Sequence, residues 1–168
     1  VYVSTCLEAG VRLQGVSYSN LISCASESSG VAFLIRNVNG LSLISCGAEV
    51  CVERDATYDG TGFRVQQGSK GVSIINPYVT NLENVAAYYI DIDDSEACSV
   101  VNPTFVIKNG VDPTIAIRVG TAAKNTNITV GSNQVLLSEN GANTINLFSD
   151  LGENTTLIYD GAFMNYSG

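Results

Sequence analysis

Short runs of alternating apolar and polar residues recur along the chain, separated by turns rich in Gly, Ser and Asn. Within each run Val, Ile, Leu or Phe takes every second position, which is the period of a β-strand with one buried face. Residues 81–101, which lie in the longest stretch without Gly or Pro, soon return to this alternation. The pattern therefore predicts many short strands and no convincing helix.

Two pairs of segments repeat at spacings in the twenties. The segment LISCASE from Leu21 recurs as LISCGAE from Leu43, and SIINPYV from Ser73 recurs as SVVNPTF from Ser99. Such self-similarity is typical of repeat architectures. Asn76 and Asn102 each precede Pro in the second pair, and we interpret them as corner residues between two strands, because Asn tolerates tight turns.

Aligning the repeats divides the chain into units that each hold two or three short strands. A stack of such units is a parallel β-helix, in which strands pair with the units above and below and buried side chains form columns. We therefore predict an all-β parallel solenoid of about six rungs. A leucine-rich repeat would need a stricter Leu/Asn pattern, and an immunoglobulin-like sandwich would not explain the register of the repeats.

The domain organisation follows from the same alignment. Residues 1–168 are interpreted as a single β-helix segment, and as part of a longer chain because the sequence opens in the middle of the pattern. The last unit is the least regular. Residues 145–168 are predicted to be either a worn terminal rung or the start of a following domain.

The charge balance excludes several function classes. The formal net charge is −8, with 8 Lys and Arg against 16 Asp and Glu. Nucleic acid needs clustered basic residues, and anionic membranes attract them too, so neither is expected as a partner. No apolar run reaches the length of a transmembrane helix, so no membrane insertion is expected.

Five Cys and no His are present. Cys24 and Cys46 occupy equivalent positions of the LISC repeat, so they are predicted to stack inside the solenoid as free thiols. The odd number favours reduced cysteines over a disulfide framework. No CxxC pair occurs, and we predict no metal site and no cofactor.

Three charged residues are equally spaced at 27 positions: Arg64, Asp91 and Arg118. The alignment places them in one outward-facing column, with Asp91 between two guanidinium groups. One interpretation is a saccharide site in which Asp91 acts as a catalytic group and the arginines orient an acidic sugar. The other is a surface charge ladder that only offsets repulsion.

The segment DIDDSE concentrates carboxylates. Asp91 and Asp93 share one face of a strand, and two nearby carboxylates are what glycoside hydrolysis requires. These two residues are therefore the catalytic candidates. A solvated acidic turn is the alternative, and the spacing does not match an EF-hand calcium loop.

The longest insertion between repeats runs from Cys51 to Gly62 and mixes charged and aromatic residues. Loops on a rigid scaffold often carry binding groups. Tyr58 could stack on a sugar ring while Asp55 or Asp59 accepts hydroxyl hydrogen bonds. A turn capped by Asp59 and Gly60, without any ligand, is the alternative.

The LISC pair, the SIINP/SVVNP pair and the strands GFRV and AIRV resemble the right-handed parallel β-helix of the pectate-lyase-like superfamily, and within it phage tailspike or capsule depolymerase proteins. This resemblance implies a homotrimer on the virion tail that binds, and in many cases cleaves, bacterial surface polysaccharide. No catalytic motif of that family is matched. Two other hypotheses remain: a non-catalytic structural or adhesive shaft, and a slice of a free polysaccharide lyase or hydrolase, which the scarcity of cations disfavours.

Overall fold

A computed structural model describes residues 1–55, 57–80, 87–107, 115–131, 136–138 and 146–159. Within these ranges the chain forms strands and turns and no helix. Accordingly, no helix in the described part of the chain could span a membrane. The strands build three parallel sheets and one small antiparallel hairpin.

Each of the three sheets contains one strand from every turn of the chain. Sheet A consists of β1 (Tyr2–Ser4), β4 (Ala25–Glu27), β7 (Gly47–Glu49), β12 (Tyr78–Thr80), β16 (Thr104–Ile107) and β19 (Leu136–Ser138). Sheet B consists of β2 (Ala9–Gln14), β5 (Val31–Arg36), β10 (Thr61–Gln66), β13 (Tyr88–Ile92), β17 (Ile115–Val119) and β20 (Asn146–Asp150). Sheet C consists of β3 (Ser17–Ile22), β6 (Asn39–Ile44), β11 (Ser69–Ile75), β15 (Ser99–Val101), β18 (Asn127–Val130) and β21 (Thr156–Tyr159), with β14 (Ser95–Glu96) beside β11. The hairpin joins β8 (Glu53–Asp55) to β9 (Tyr58–Asp59).

The chain passes from sheet B to sheet C to sheet A and then climbs to the next layer. Within the sheets, strands pair in parallel with the layers before and after. Six successive strands along each sheet, with β14 as an additional short strand in sheet C, correspond to a solenoid of about five turns. The predicted all-β parallel solenoid is confirmed, and its right-handed sense stays a prediction. Of the irregular end, 145–168, residues 146–159 contribute β20 and β21, whereas the remainder lies outside the described residues.

Aromatic and aliphatic side chains stack in columns inside the solenoid. Phe33 and Phe63 are fully buried on neighbouring strands, with ring centroids 4.7 Å apart and planes 4° from parallel. Val11 precedes them in the same column and Ile90 follows. Burying the same apolar position on every layer removes a continuous strip of surface from water, which is the main force that stabilises such a stack.

The corners use non-glycine residues in the left-handed region of backbone space. Asn76 and Asn102 have φ of 49° and stand between sheets C and A, and Ser23 and Ser45 occupy the same place in earlier turns. Asn and small polar residues tolerate this conformation better than β-branched ones. The interpretation of the repeated Asn-Pro as a strand corner is confirmed.

The predicted stack of Cys24 on Cys46 is also confirmed. The two residues follow the same corner on adjacent layers, and the N–H of Gly47 donates to the carbonyl of Cys24 at 2.8 Å. Both side chains are buried, and all five cysteines are free. Burial raises the pKa of the Cys46 thiol, and it raises the pKa of Cys51 to about 12.

We expect a thiol-reactive disulfide reagent at pH 8 to modify one cysteine quickly and four slowly. Cys6 is half-exposed, whereas Cys24, Cys46, Cys51 and Cys98 are at most 4% exposed. Burial keeps the reagent away from these four thiols, and it also raises the pKa of Cys46, Cys51 and Cys98, which makes the reactive thiolate scarce. Stopped-flow absorbance of the native protein, with the protein in urea as the control, measures the two populations. Two or more fast thiols in the native state would contradict the burial described above.

Candidate functional site

The outer face of sheet B brings Arg64, Asp91 and Arg118 together, as their equal spacing predicts. Strand pairing sets Arg64 directly beside Asp91, and Asp91 directly beside Arg118. The column extends upstream through Leu34 to Arg12. The three charged residues therefore lie on adjacent strands of a rigid sheet.

Arg64 is buried rather than surface-exposed, and its guanidinium is almost fully used. Its Nε donates to Asp91 Oδ2 at 3.0 Å and its Nη1 to the carbonyl of Thr57 at 2.8 Å. Its Nη2 donates to Asp59 Oδ2 at 2.5 Å and to Thr61 Oγ1 at 3.1 Å. These contacts join the sheet to the hairpin above it.

Asp91 has both carboxylate oxygens occupied. Arg64 binds Oδ2, and Arg118 Nε donates to Oδ1 at 2.7 Å. The Asp91 side chain is only 3% exposed. A carboxylate held in this way cannot approach a glycosidic oxygen unless at least one arginine moves away.

Arg118 is the more open of the two arginines, with 27% of its side chain exposed. Its guanidinium lies over the ring of Tyr88, 4.8 Å from the centroid, and its Nη2 is 3.5 Å from Asp93 Oδ2. Burial lowers the pKa of Arg118, but the hydrogen bond and charge of Asp91 outweigh that effect and leave the pKa above its ordinary value. The guanidinium therefore stays charged at any pH at which the protein is folded.

Asp93 is tied to the backbone as well as to Arg118. Its Oδ1 accepts the N–H groups of Asp94 at 2.9 Å and Ala122 at 3.2 Å. Gly120 leaves the necessary space, because a Cβ there would lie 2.2 Å from the Asp93 carboxyl carbon. The side chain of Asp93 thus holds a turn of the next layer in place.

The acidic segment DIDDSE does not converge on one point. Asp91 and Asp93 lie on the outer face of sheet B, Asp94 turns the corner with φ of 41°, and Glu96 belongs to a separate column. Across the described ranges, no group of three or more His, Cys, Asp or Glu is placed to hold a metal ion.

The insertion from Cys51 to Gly62 folds back over sheet B as the hairpin β8–β9. Asp59 accepts from the N–H of Thr61 at 3.1 Å through Oδ1 while its Oδ2 binds Arg64. Asp55 Oδ1 accepts the N–H groups of Thr57 at 2.7 Å and Tyr58 at 3.0 Å. The sequence predicts that Asp55 and Asp59 bind a ligand. In the structure Asp55 stabilises the turn of the hairpin, and Asp59 attaches the hairpin to Arg64 of sheet B.

Tyr58 reaches back towards the first turn of the solenoid and forms a cluster with Glu8 and Arg12. Arg12 Nη2 donates to the Tyr58 hydroxyl and contacts Glu8 Oε2, both at 2.7 Å. The Tyr58 hydroxyl donates to the same Glu8 oxygen at 3.1 Å. The side chains of Arg12 and Glu8 are 40% and 62% exposed. This Glu8–Arg12–Tyr58 cluster is an open group of mixed polar side chains beside the hairpin.

The sequence interpretation did not include Glu8 or Arg12. The available signal was that Arg12 aligns with Arg64 in the repeat register, two layers apart. This alignment is difficult to recognise in the sequence because the residue between Arg12 and Arg64 in the column is Leu34, which is not charged.

A second charged column runs along the corner between sheets B and C. Lys70 Nζ lies 2.9 Å from Glu96 Oε2, and Lys124 Nζ lies 3.5 Å from Glu153 Oε2. The hydrogen bond and the opposite charges of Lys70 and Glu96 lower the pKa of Glu96 and raise the pKa of Lys70. An open groove of about 220 Å³ lies beside this column. Because its cations and anions alternate and pair, the column has the properties of an exposed ladder rather than of an ion-binding site.

Comparison with protein-family models, with curated proteins and with solved structures finds no match for this chain. The function is therefore inferred from the sequence and the geometry of the chain itself.

Proposed function

We propose that this chain is a section of a tailspike-like β-solenoid that binds a bacterial surface polysaccharide without cleaving it. The proposal includes a place on the virion tail and a side-by-side assembly of three copies, both of which come from the sequence resemblance. Binding without cleavage is proposed because Asp91, the first catalytic candidate, is buried and hydrogen-bonded to Arg64 and Arg118.

The observation that carries the proposal is the Glu8–Arg12–Tyr58 cluster. It offers a guanidinium, a carboxylate and a phenol that are already hydrogen-bonded to one another at the surface. Sugar hydroxyls pair with such donor and acceptor groups, and little ordering is needed because the hairpin is fixed to sheet B through Arg64. A preorganised cluster on a rigid scaffold supports binding better than it supports catalysis.

The absence of a free catalytic carboxylate in the predicted pair supports the non-cleaving form of the proposal. Both glycosidase mechanisms need an acid that reaches the leaving-group oxygen and a second carboxylate that reaches water or the sugar. Asp91 contacts two arginines, and Asp93 contacts two backbone N–H groups. Both residues are engaged in maintaining the sheet.

The binding proposal is tested with purified capsular and O-antigen polysaccharides, both neutral and acidic, by affinity electrophoresis. We expect at least one glycan to bind, and Arg12→Ala and Tyr58→Phe each to weaken that binding at least tenfold, since a lost hydrogen bond to a charged group is worth about 1.5–3 kcal/mol. Lys124→Ala, on the separate corner column, is the matched control and should keep wild-type affinity.

Two results would contradict the proposal. One is the absence of binding to every glycan in the panel, which would favour a purely structural shaft. The other is release of reducing ends by the wild type that Asp91→Asn abolishes, which would restore the depolymerase hypothesis.

The structural shaft is the second candidate, and one observation favours it. Charged side chains of the corner column pair with one another, as Lys70 does with Glu96 and Lys124 with Glu153. These four exposed side chains therefore offer little net charge to attract a ligand. Failure of Arg12→Ala to alter any glycan affinity would support this candidate.

A further inference from the structure

The outer face of sheet C carries two regular columns of side chains. One is polar and the other is almost entirely β-branched and aliphatic. Strand pairing aligns both columns across six layers. The polar column contains Asn20, Ser42, Ser73, Ser99, Asn127 and Thr156, and the apolar column contains Ile22, Ile44, Ile75, Val101, Thr129 and Ile158.

Both columns point away from the core. Ile22 and Ile158 at the two ends are 61% and 55% exposed, and the apolar residues between them are half-buried. Ser99 Oγ donates to Ser73 Oγ at 3.0 Å, so neighbouring layers are also joined on the outside. The result is a flat surface on which isoleucine side chains remain in contact with water.

No residue of these two columns is charged, although the chain as a whole carries a net charge of −8. The flanking columns continue this neutrality: Ser23, Ser45, Asn76 and Asn102 on one side, and Tyr18, Gly40, Gly71, Ala97, Asn125 and Asn154 on the other. Beyond the second of these flanking columns, charge returns at the corner column of Lys70, Glu96, Lys124 and Glu153.

We infer that the outer face of sheet C binds a second copy of this chain. Two copies with a charge of −8 repel each other, and juxtaposed like charges are costly at an interface. The neutral face lets them approach with the fewest like charges in contact. Burial of the aliphatic column supplies the attraction, at roughly 25 cal/mol per Å².

The size of the face sets the expected strength. Six strands spaced ~4.8 Å apart extend about 24 Å, and an extended segment of about five residues in each layer spans about 16 Å, which gives a footprint of about 400 Å². A standard interface buries about 800 Å² per partner. Association through these layers alone is therefore expected to be weak and dependent on concentration.

Sedimentation velocity of the intact chain without any glycan tests the inference. We expect the sedimentation coefficient to rise with protein concentration. The rise should be larger at high salt than at low salt, because salt screens the net repulsion and leaves apolar contacts intact. Ser73→Glu should weaken association at least tenfold, whereas Thr121→Glu, with the same added charge at an exposed turn, should change it less than twofold.

A second variant keeps the test valid if Ser73→Glu perturbs folding. Asn127→Glu adds the charge at an exposed position of the same polar column and should weaken association in the same direction. The inference is overturned by a monomer at every concentration, by equal effects of Asn127→Glu and Thr121→Glu, or by association that salt weakens. It is also overturned if Asn127→Glu lowers glycan affinity and leaves self-association unchanged, since the face would then bind polysaccharide.

This inference rests on the proposed function only for the idea that copies lie side by side. The sedimentation experiment contains no polysaccharide, and the glycan affinity of Asn127→Glu is measured separately. Ser73 and Asn127 lie on sheet C, away from the Glu8–Arg12–Tyr58 cluster. Failure here leaves glycan binding intact, and failure of glycan binding leaves self-association intact.

Discussion

Asp91→Asn is expected to lower the free energy of unfolding by about 3 kcal/mol, the lower end of the range measured when one partner of a buried ion pair is removed. Asn keeps the shape of the side chain but leaves the buried Arg64 and the partly buried Arg118 without the charge between them. Arg64 retains Asp59, and Arg118 retains Asp93, which is why the loss is not larger. Urea denaturation at neutral pH, followed by circular dichroism, measures the change.

Glu96→Gln provides the matched control for this prediction. It removes a carboxylate from the exposed corner column, where solvent screens the pairing with Lys70, so it should alter stability much less than Asp91→Asn. If the two variants lowered the free energy of unfolding equally, burial of the Asp91 ion pairs would not increase their contribution to stability. An unchanged melting temperature in Asp91→Asn, together with loss of a glycan-cleaving activity, would identify Asp91 as a catalytic residue.

Phe63→Ala is expected to be at least as destabilising, by about 3–5 kcal/mol. Phe63 is fully buried and stacked on Phe33, so truncation leaves a cavity bounded by a rigid ring and by the backbone of two neighbouring strands. The same urea titration gives the value.

Val11→Ala tests whether position in the stack matters. Val11 precedes Phe33 in the same inward column but lies on the first strand of sheet B, where it is only partly buried. Its truncation should cost clearly less than that of Phe63. A Phe63→Ala loss below about 1 kcal/mol, well under the range for buried aromatic truncation, would show that the column repacks around the gap.

The repeat register could be predicted from sequence because it depends on local pattern. Each strand pairs with the equivalent strand of the next turn, so residues that match in the alignment become neighbours in space. This is why Arg64, Asp91 and Arg118 fall side by side, and why Cys24 lies next to Cys46. Insertions between repeats do not disturb the register, because they occur outside the sheets.

The direction of the hairpin could not be predicted in this way. Tyr58 contacts Arg12 across 46 residues, and that contact depends on where β8–β9 folds rather than on any repeat. The sequence pattern alone predicts a protruding loop and a charged column that is open to solvent. The hairpin lies over Arg64 and buries it. The ion pair between Arg64 and Asp91 is therefore internal and not part of an exposed charge ladder.

The division of DIDDSE also escaped the sequence pattern. Strand alternation correctly places Asp91 and Asp93 on one face, but it says nothing about where the strand ends. Asp94 adopts a left-handed backbone conformation, which sends Glu96 to a different side of the solenoid. A corner formed by Asp is harder to recognise than one formed by Asn-Pro, because Asp at a strand end is equally compatible with further extension.

Pairing that connects each layer only to the layers above and below has a consequence for how the molecule comes apart. Opening a layer in the middle breaks two interfaces, whereas opening one at an end breaks a single interface. In the isolated 168-residue chain, fluctuations are therefore expected to begin in the two outermost layers and to progress inwards, and backbone amides should become less accessible to solvent exchange towards β10 and β11. The ion pair beneath the hairpin lies in these central layers, so the most strongly bound charges occupy the part of the chain that opens last.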